Sequence, residues 1–330
     1  MPPLLLSVPE IVERSQKQSW LVKFVIPEGL GVLYGESGTF KSFVVLDLAL
    51  HVCYGLKWLG QKTVKAPVCY VSAEGGGGIA RRIQAWHEAR GMDWRDCPLK
   101  VVIDHITPDT DFARLRKEIE SLGGARLIIL DTFSQIFDGD ENSAEAVSEF
   151  LRLIVRALLK PLGATIILIH HVGHSVDNRP RGSSTLTANS DFLFQVSRTK
   201  GERIAILENT KQKDSDLWPP TNFHASKVEL GQDSDGDPLS SLSAAYITDP
   251  AELVAAVQSA PSGHKALLLK IAELGLPTKE ARSRFYDDHG GDSESRKKAW
   301  QRCLGWARAA NLVSDDGGIL RRTTGHGRDI

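Results

Sequence analysis

The stretch Gly35-Glu36-Ser37-Gly38-Thr39-Phe40-Lys41-Ser42 decides how this chain is read. It follows a short apolar run, Gly31–Tyr34, and opens a helix-period segment at 41–56. A run of aliphatic residues bounded by turn formers suits a strand buried on both faces. The octapeptide is therefore expected at a strand-to-helix corner. There the backbone N–H groups and the positive helix end favour an anion such as phosphate. Lys41 adds a point charge, and the Ser42 hydroxyl can bind a hard cation. Gly35 and Gly38 let the backbone curl. The pattern departs from G-x-x-x-x-G-K-[ST] at one place, because Phe40 stands where glycine is usual. Phe40 is read as already entering the helix, with its side chain turned away from the anion.

Working outward, Val68–Ser72, Leu127–Leu130 and Thr165–Ile169 are further apolar runs. Between them lie helix-period stretches at 78–91, 111–122 and 143–160. This alternation predicts a mostly parallel, twisted α/β sheet flanked by helices. Residues 191–196 and 203–208 read as two more strands. Residues 224–230 and 241–247 read as a hairpin around the Asp/Gly-rich stretch 231–238.

Two runs end in acids, at Glu74 and Asp131. In parallel sheets ligands bind at the carboxyl ends of the strands. Asp131 could hold Mg²⁺ there, or merely cap a turn. Glu74, followed by the glycines 75–78, could take a proton from an attacking water. The bland alternative is a surface acid before a flexible turn. Thr165-Ile-Ile-Leu-Ile-His170-His171 carries a strand into histidines, with no nearby carboxylate or cysteine to complete a metal set.

Together these pieces, over roughly residues 28–225, resemble RecA/DnaB-type P-loop ATPases, and most of all the RepA-like hexameric replicative helicases of plasmids and phages. The resemblance implies a RecA-like core that binds ATP with Mg²⁺ through Gly35, Glu36, Ser37, Gly38, Thr39, Phe40, Lys41 and Ser42. It makes Lys41 the phosphate ligand, Ser42 and Asp131 the metal ligands, Glu74 the catalytic base and His171, rather than His170, a sensor of the terminal phosphate. It places the basic, small-residue segment 172–187 in a channel, where Arg179, Arg181, Ser183 and Ser184 would touch DNA. It also gives Lys211 and Lys213 a role in trans, on a neighbouring subunit's nucleotide, within a homo-oligomer expected to be a hexameric ring. For each of these segments a plain solvated loop or hairpin is the alternative.

The texture changes near residue 248. Residues 1–25 read as a preface, 26–248 as the ATPase core and 249–263 as a linker. Residues 264–330 read as a small unit of helices near 264–275, 278–288 and 293–311, then two strands within Val313–Arg321. That outline suits a winged helix-turn-helix. Arg296, Lys297 and Lys298, after a capping Ser293, would start a DNA-reading helix; a small helical cap is the alternative.

Net charge is −1, so any nucleic-acid contact must come from a local patch. Cys53, Cys69, Cys97 and Cys303 are scattered, which argues against a zinc site or a disulfide framework and for a reducing cytoplasm. No apolar run is long enough for a bilayer, so no membrane partner is expected. The expected activity is an ATP-driven helicase or translocase on DNA. A recombination or repair ATPase, or a nucleotide-gated DNA-binding regulator with slow turnover, are the alternatives.

Overall fold

The computed structural model describes residues 5–15, 20–73, 76–172, 180, 184–198, 202–247, 267–268, 271–289, 292–309, 313–316 and 318–322. The chain divides into two compact units, one of residues 1–197 with 206–245 and one of 198–205 with 246–330.

In the first unit, helix α1 (Val8–Ser15) and a ribbon of β1 (Trp20–Val22) on β2 (Ile26–Pro27) precede the sheet. The apolar runs then become strands. β3 (Leu30–Gly35) leads through the octapeptide into α2 (Lys41–Tyr54), and β4 (Val68–Ser72) leads to α3 (Gly76–Glu88). β5 (Leu99–Val102) is followed by α4 (Pro108–Ser121), and β6 (Leu127–Asp131) by α5 (Phe133–Ile136). α6 (Ala144–Ile154) continues through a π-helical turn, Val155–Leu159, into α7 (Lys160–Leu162) and β7 (Thr165–His171). After α8 (Ser184–Asn189) come β8 (Phe192–Ser197), β9 (Ile204–Gln212), β10 (Thr221–Gln232) and β11 (Pro238–Tyr246).

These strands form one sheet in the order β11-β10-β9-β8-β3-β7-β6-β4-β5. The six from β8 to β5 run parallel, and β9 turns antiparallel to β8. The α/β sheet expected from the alternation is thus present. β5 escapes that alternation because it is a short edge strand, interrupted by exposed Lys100.

Alternation along each strand assigns its faces. Leu30, Val32, Tyr34, Cys69, Val71, Ile128, Leu130, Ile166 and Leu168 enter one buried cluster with α4 and α6. The opposite positions, Gly35, Tyr70, Ser72, Asp131 and His171, therefore share the other face. Helix α2 is buried nearly all round, which fits its apolar run and absence of a polar side. Each of Val44, Leu48 and Leu50, fully enclosed, contributes about 1.5–3 kcal/mol by burial.

In the second unit, β12 (Leu276–Pro277) and β13 (Val313–Asp316) flank β14 (Ile319–Arg322), with helices α9 (Thr278–His289) and α10 (Ser293–Ala309). Phe285, Trp300, Cys303, Leu304, Val313 and Leu320 share its core. The described cysteines carry no disulfide. Among the described residues no helix is long and apolar enough to cross a membrane.

Candidate functional site: the strand-tip corner at Lys41

The octapeptide leaves the end of β3 and enters α2 as expected. Gly35 is required by close approach, since a Cβ there would sit 2.1 Å from the Val196 carbonyl oxygen on β8. Gly38 has φ +75°, and a Cβ there would meet nothing within 4 Å. The loop thus opens outward at its tip. Thr39 is buried, and its hydroxyl donates to the Glu36 carbonyl over 2.8 Å.

Phe40 corrects the sequence reading. It has not entered the helix; it is the residue that precedes it, with φ 70° and ψ 20°. Glycine is usual there because this left-handed conformation costs a side chain about 1–2 kcal/mol. The Phe40 ring packs edge-on against Phe43, with centroids 5.7 Å apart, which offsets part of that cost. No acid lies in the first turn of α2, so its positive end is left available to an anion.

Lys41 is only 5% exposed. Its ammonium donates to the carbonyls of Gly35 at 2.9 Å and Glu36 at 2.8 Å. Nδ1 of His171 lies 3.3 Å from Lys41 Nζ. Register explains the meeting: β3 and β7 are neighbours, and Gly35 is level with His171. The preceding His170 points to the opposite face, where it is buried edge-on against Phe133 at 4.7 Å.

The next tips continue the row. Asp131 is level with Ile169 on β7 and with Ser72 on β4, and is 5% exposed. The Asp131–Thr132 peptide is cis. Tyr70, two residues down β4 on the same face, donates its hydroxyl to Asp131 Oδ2 at 2.5 Å. The Ser42 hydroxyl bonds the same Tyr70 hydroxyl. Burial first, and then the Asp131 carboxylate, push the Tyr70 pKa far above its usual value, so it stays a protonated donor. Sequence reading missed Tyr70, although its two-residue offset from Ser72 was a signal.

A second polar cluster lies behind the corner, on α2. Asp47 is fully buried and accepts from Trp58 Nε1 at 3.0 Å, Trp86 Nε1 at 2.8 Å and the Arg90 guanidinium at 2.8 Å. Burial raises the Asp47 pKa, and His51, Arg90 and the two indoles pull it back. Arg90 also lies 4.1 Å over the Trp86 ring and reaches Ser243 and the Ala244 carbonyl. A lone acid inside the run Val44-Val-Leu-Asp-Leu-Ala-Leu50 was the sequence signal for this ion pair.

The other expected site residues do not join the corner. Glu74, Arg179, Arg181 and Ser183 lie outside the described residues. Ser184 is not part of a loop; it starts α8. Lys211 donates to the carbonyls of Thr187 at 2.7 Å and Ala188 at 3.0 Å, near the end of α8. Lys213 pairs with Asp191 at 2.8 Å. Both lysines flank Gln212, which faces Phe192 at the start of β8, the end of the sheet opposite the loop. In α10, Lys297 is exposed, Arg296 half-buried, and Lys298 pairs with Glu294 at 2.8 Å. The cap of α10 is Asp292 rather than Ser293: Asp292 Oδ1 accepts the Ser295 N–H at 2.7 Å. The same contact holds the Asp292 carboxyl below its usual pKa.

The corner fits a nucleotide with its metal. A buried ammonium stands at the throat of an outward-opening loop, and a hydroxyl and a carboxylate stand beside it, the hard-oxygen donors Mg²⁺ prefers. Lys41 would meet the terminal phosphates, with Ser42 and Asp131 at the metal.

No curated protein matches the chain. Among solved structures it is similar to the ATPase domain of a DnaB-like helicase, with 14% identity, TM-score 0.47 and coverage of 60% of this chain and 81% of that one. It is also similar to the RadB recombinase, with 15% identity, TM-score 0.46 and coverage of 61% and 88%. The family profile described as an AAA domain matches residues 3–177, more than half of the chain and the segment that holds the loop, β4, β6 and β7. On that match and this corner, the chain belongs to the AAA-domain family, as a P-loop ATPase of the RecA/DnaB type.

Proposed function

We propose that this ATPase is a motor on DNA, an oligomeric helicase or translocase. The observation that supports the chemistry best is the gathering of Lys41, Ser42, Asp131 and His171 at neighbouring strand tips. When bound, Mg²⁺ would draw charge from the terminal phosphate. Lys41 would neutralise phosphate oxygens, and the end of α2 would add its dipole. Glu74, two residues beyond the end of β4, is the proposed base for the attacking water. His171, in contact with Lys41, would carry the state of the terminal phosphate to the segment that follows it.

The DNA part rests on the sequence resemblance and on basic residues. Arg179, Arg181, Ser183 and Ser184 are proposed to line the strand path of a hexameric ring. Arg296, Lys297 and Lys298 at the start of α10, in a unit of helices and a small sheet, suit the reading helix of a winged helix-turn-helix. Lys211 and Lys213 are proposed to act on a neighbour's nucleotide. That role would require Lys211 to leave the α8 carbonyls and Lys213 to leave Asp191. ATP hydrolysis with and without single-stranded DNA, beside the mass of the assembly in solution and strand displacement from a forked duplex, tests the proposal. DNA stimulation with unwinding by an oligomer supports it. An unstimulated monomer contradicts it, and stimulation without unwinding favours a recombination-type ATPase.

A further inference from the structure

We propose that Tyr70 is a positioning residue that orients both oxygen ligands of the metal, taking a hydrogen bond from Ser42 and giving one to Asp131. The inference rests on reading the corner as a nucleotide–Mg²⁺ site, and it adds a residue that the loop and acid motifs do not contain.

Three observations carry it. The Tyr70 ring is fully buried in the middle of β4, so the hydroxyl has little freedom to turn away. Its oxygen lies 2.5 Å from Asp131 Oδ2, a short charge-assisted bond. Its other partner is the Ser42 hydroxyl on the first turn of α2. A tyrosine hydroxyl has one proton and can accept as well. As Asp131 accepts that proton, the Ser42 proton is left to point at the Tyr70 oxygen. The order of donation is Ser42 to Tyr70 to Asp131.

That order has a consequence for the metal. Ser42 Oγ keeps its lone pairs for a cation only if its own proton is directed elsewhere, and Tyr70 supplies the place. Asp131 Oδ2 is occupied by Tyr70, which fixes the rotation of the carboxylate and presents Oδ1 as the ligand oxygen. Groups that hydrogen-bond metal ligands set their orientation, and losing one typically weakens metal affinity about 10–100-fold. Arg82 acts on the same group from α3: its charge favours the ionised Tyr70, though less than burial and Asp131 oppose it. Arg82 is itself held over the Phe43 ring at 4.6 Å, so α3 is tied to the first turn of α2 beside the ligand pair.

Tyr70→Phe removes the hydroxyl and keeps the ring. Binding of a fluorescent ATP analogue is titrated in EDTA and then against increasing Mg²⁺, with thermal melting as the control for folding. The wild-type chain is expected to bind more tightly with Mg²⁺. In Tyr70→Phe the affinity in EDTA stays within about twofold, while the Mg²⁺ concentration for half-maximal enhancement rises about 10-fold or more. Tyr70→Met also lacks the donor and fills space flexibly; it is expected to show the same shift and serves if the phenylalanine variant does not fold. A wild-type Mg²⁺ requirement in either folded variant overturns the role of Tyr70 and leaves the site reading intact. Absence of Mg²⁺-dependent binding in the wild-type chain overturns the site reading, and the role of Tyr70 with it.

Discussion

The two ends of the central sheet use lysine in opposite ways. At the carboxyl ends of the parallel strands, Lys41 is 5% exposed and enclosed by loop carbonyls and His171. At the other end, Lys213 sits in an ion pair whose members are 45% and 32% exposed. The same ammonium is costly to disturb in the first place and nearly free in the second, because water replaces a lost partner only where it can reach. A charge held out of water marks the place where binding is built in. A charge held at the surface is available for exchange, which a contact between subunits would need.

That contrast can be broken at several points. The largest effect is expected for Lys41→Ala, where hydrolysis measured as phosphate release should fall at least about 100-fold. Asp47→Ala should come next. It leaves the Arg90 charge and two buried indole donors without their acceptor, and should cost about 3 kcal/mol in chemical denaturation. A loss well under 1 kcal/mol would show that the cluster behind the corner does not brace α2. Phe40→Gly should change stability by no more than about 1 kcal/mol, because relief of the left-handed backbone offsets the lost contact with Phe43 and the added chain entropy. Nucleotide affinity should not weaken in that variant; a marked loss would mean that the phenylalanine ring itself serves the site. Lys213→Ala should be the mildest, shifting stability by less than about 1 kcal/mol. Mixing it with subunits that keep Lys213 should restore hydrolysis if the lysine acts across an interface, and should not if it serves only Asp191.

The sequence was legible where a local rule had one answer. A glycine-bearing corner between an apolar run and a helix-period stretch had to be a strand, a loop and a helix, and Asp131 had to sit at a strand tip. Period-two alternation separates His171 from His170 once β3 and β7 are known to be neighbours. What escaped depended on partners distant in the chain. Phe40 was misread because a sequence pattern does not print φ. Ser293 was preferred as a cap over Asp292 although both are good capping residues, and only geometry shows which oxygen meets the Ser295 N–H. β5 was hidden by its brevity and its exposed lysine. Tyr70 and Asp47 looked like ordinary members of a strand and a helix until their partners, Asp131 and Ser42 for one and Trp58, Trp86 and Arg90 for the other, were brought beside them.

Competition binding tests the central claim most directly. A fluorescent ATP analogue bound in the presence of Mg²⁺ is displaced with ATP, ADP and AMP, in the wild-type chain and in Lys41→Ala. If the corner grips the outer phosphates, ATP and ADP displace the analogue while AMP needs at least about 100-fold more, as expected when charge-assisted contacts worth about 1.5–3 kcal/mol each are missing. Lys41→Ala should then bind far more weakly. Equal displacement by AMP and ATP, or unchanged affinity in Lys41→Ala, would contradict the account.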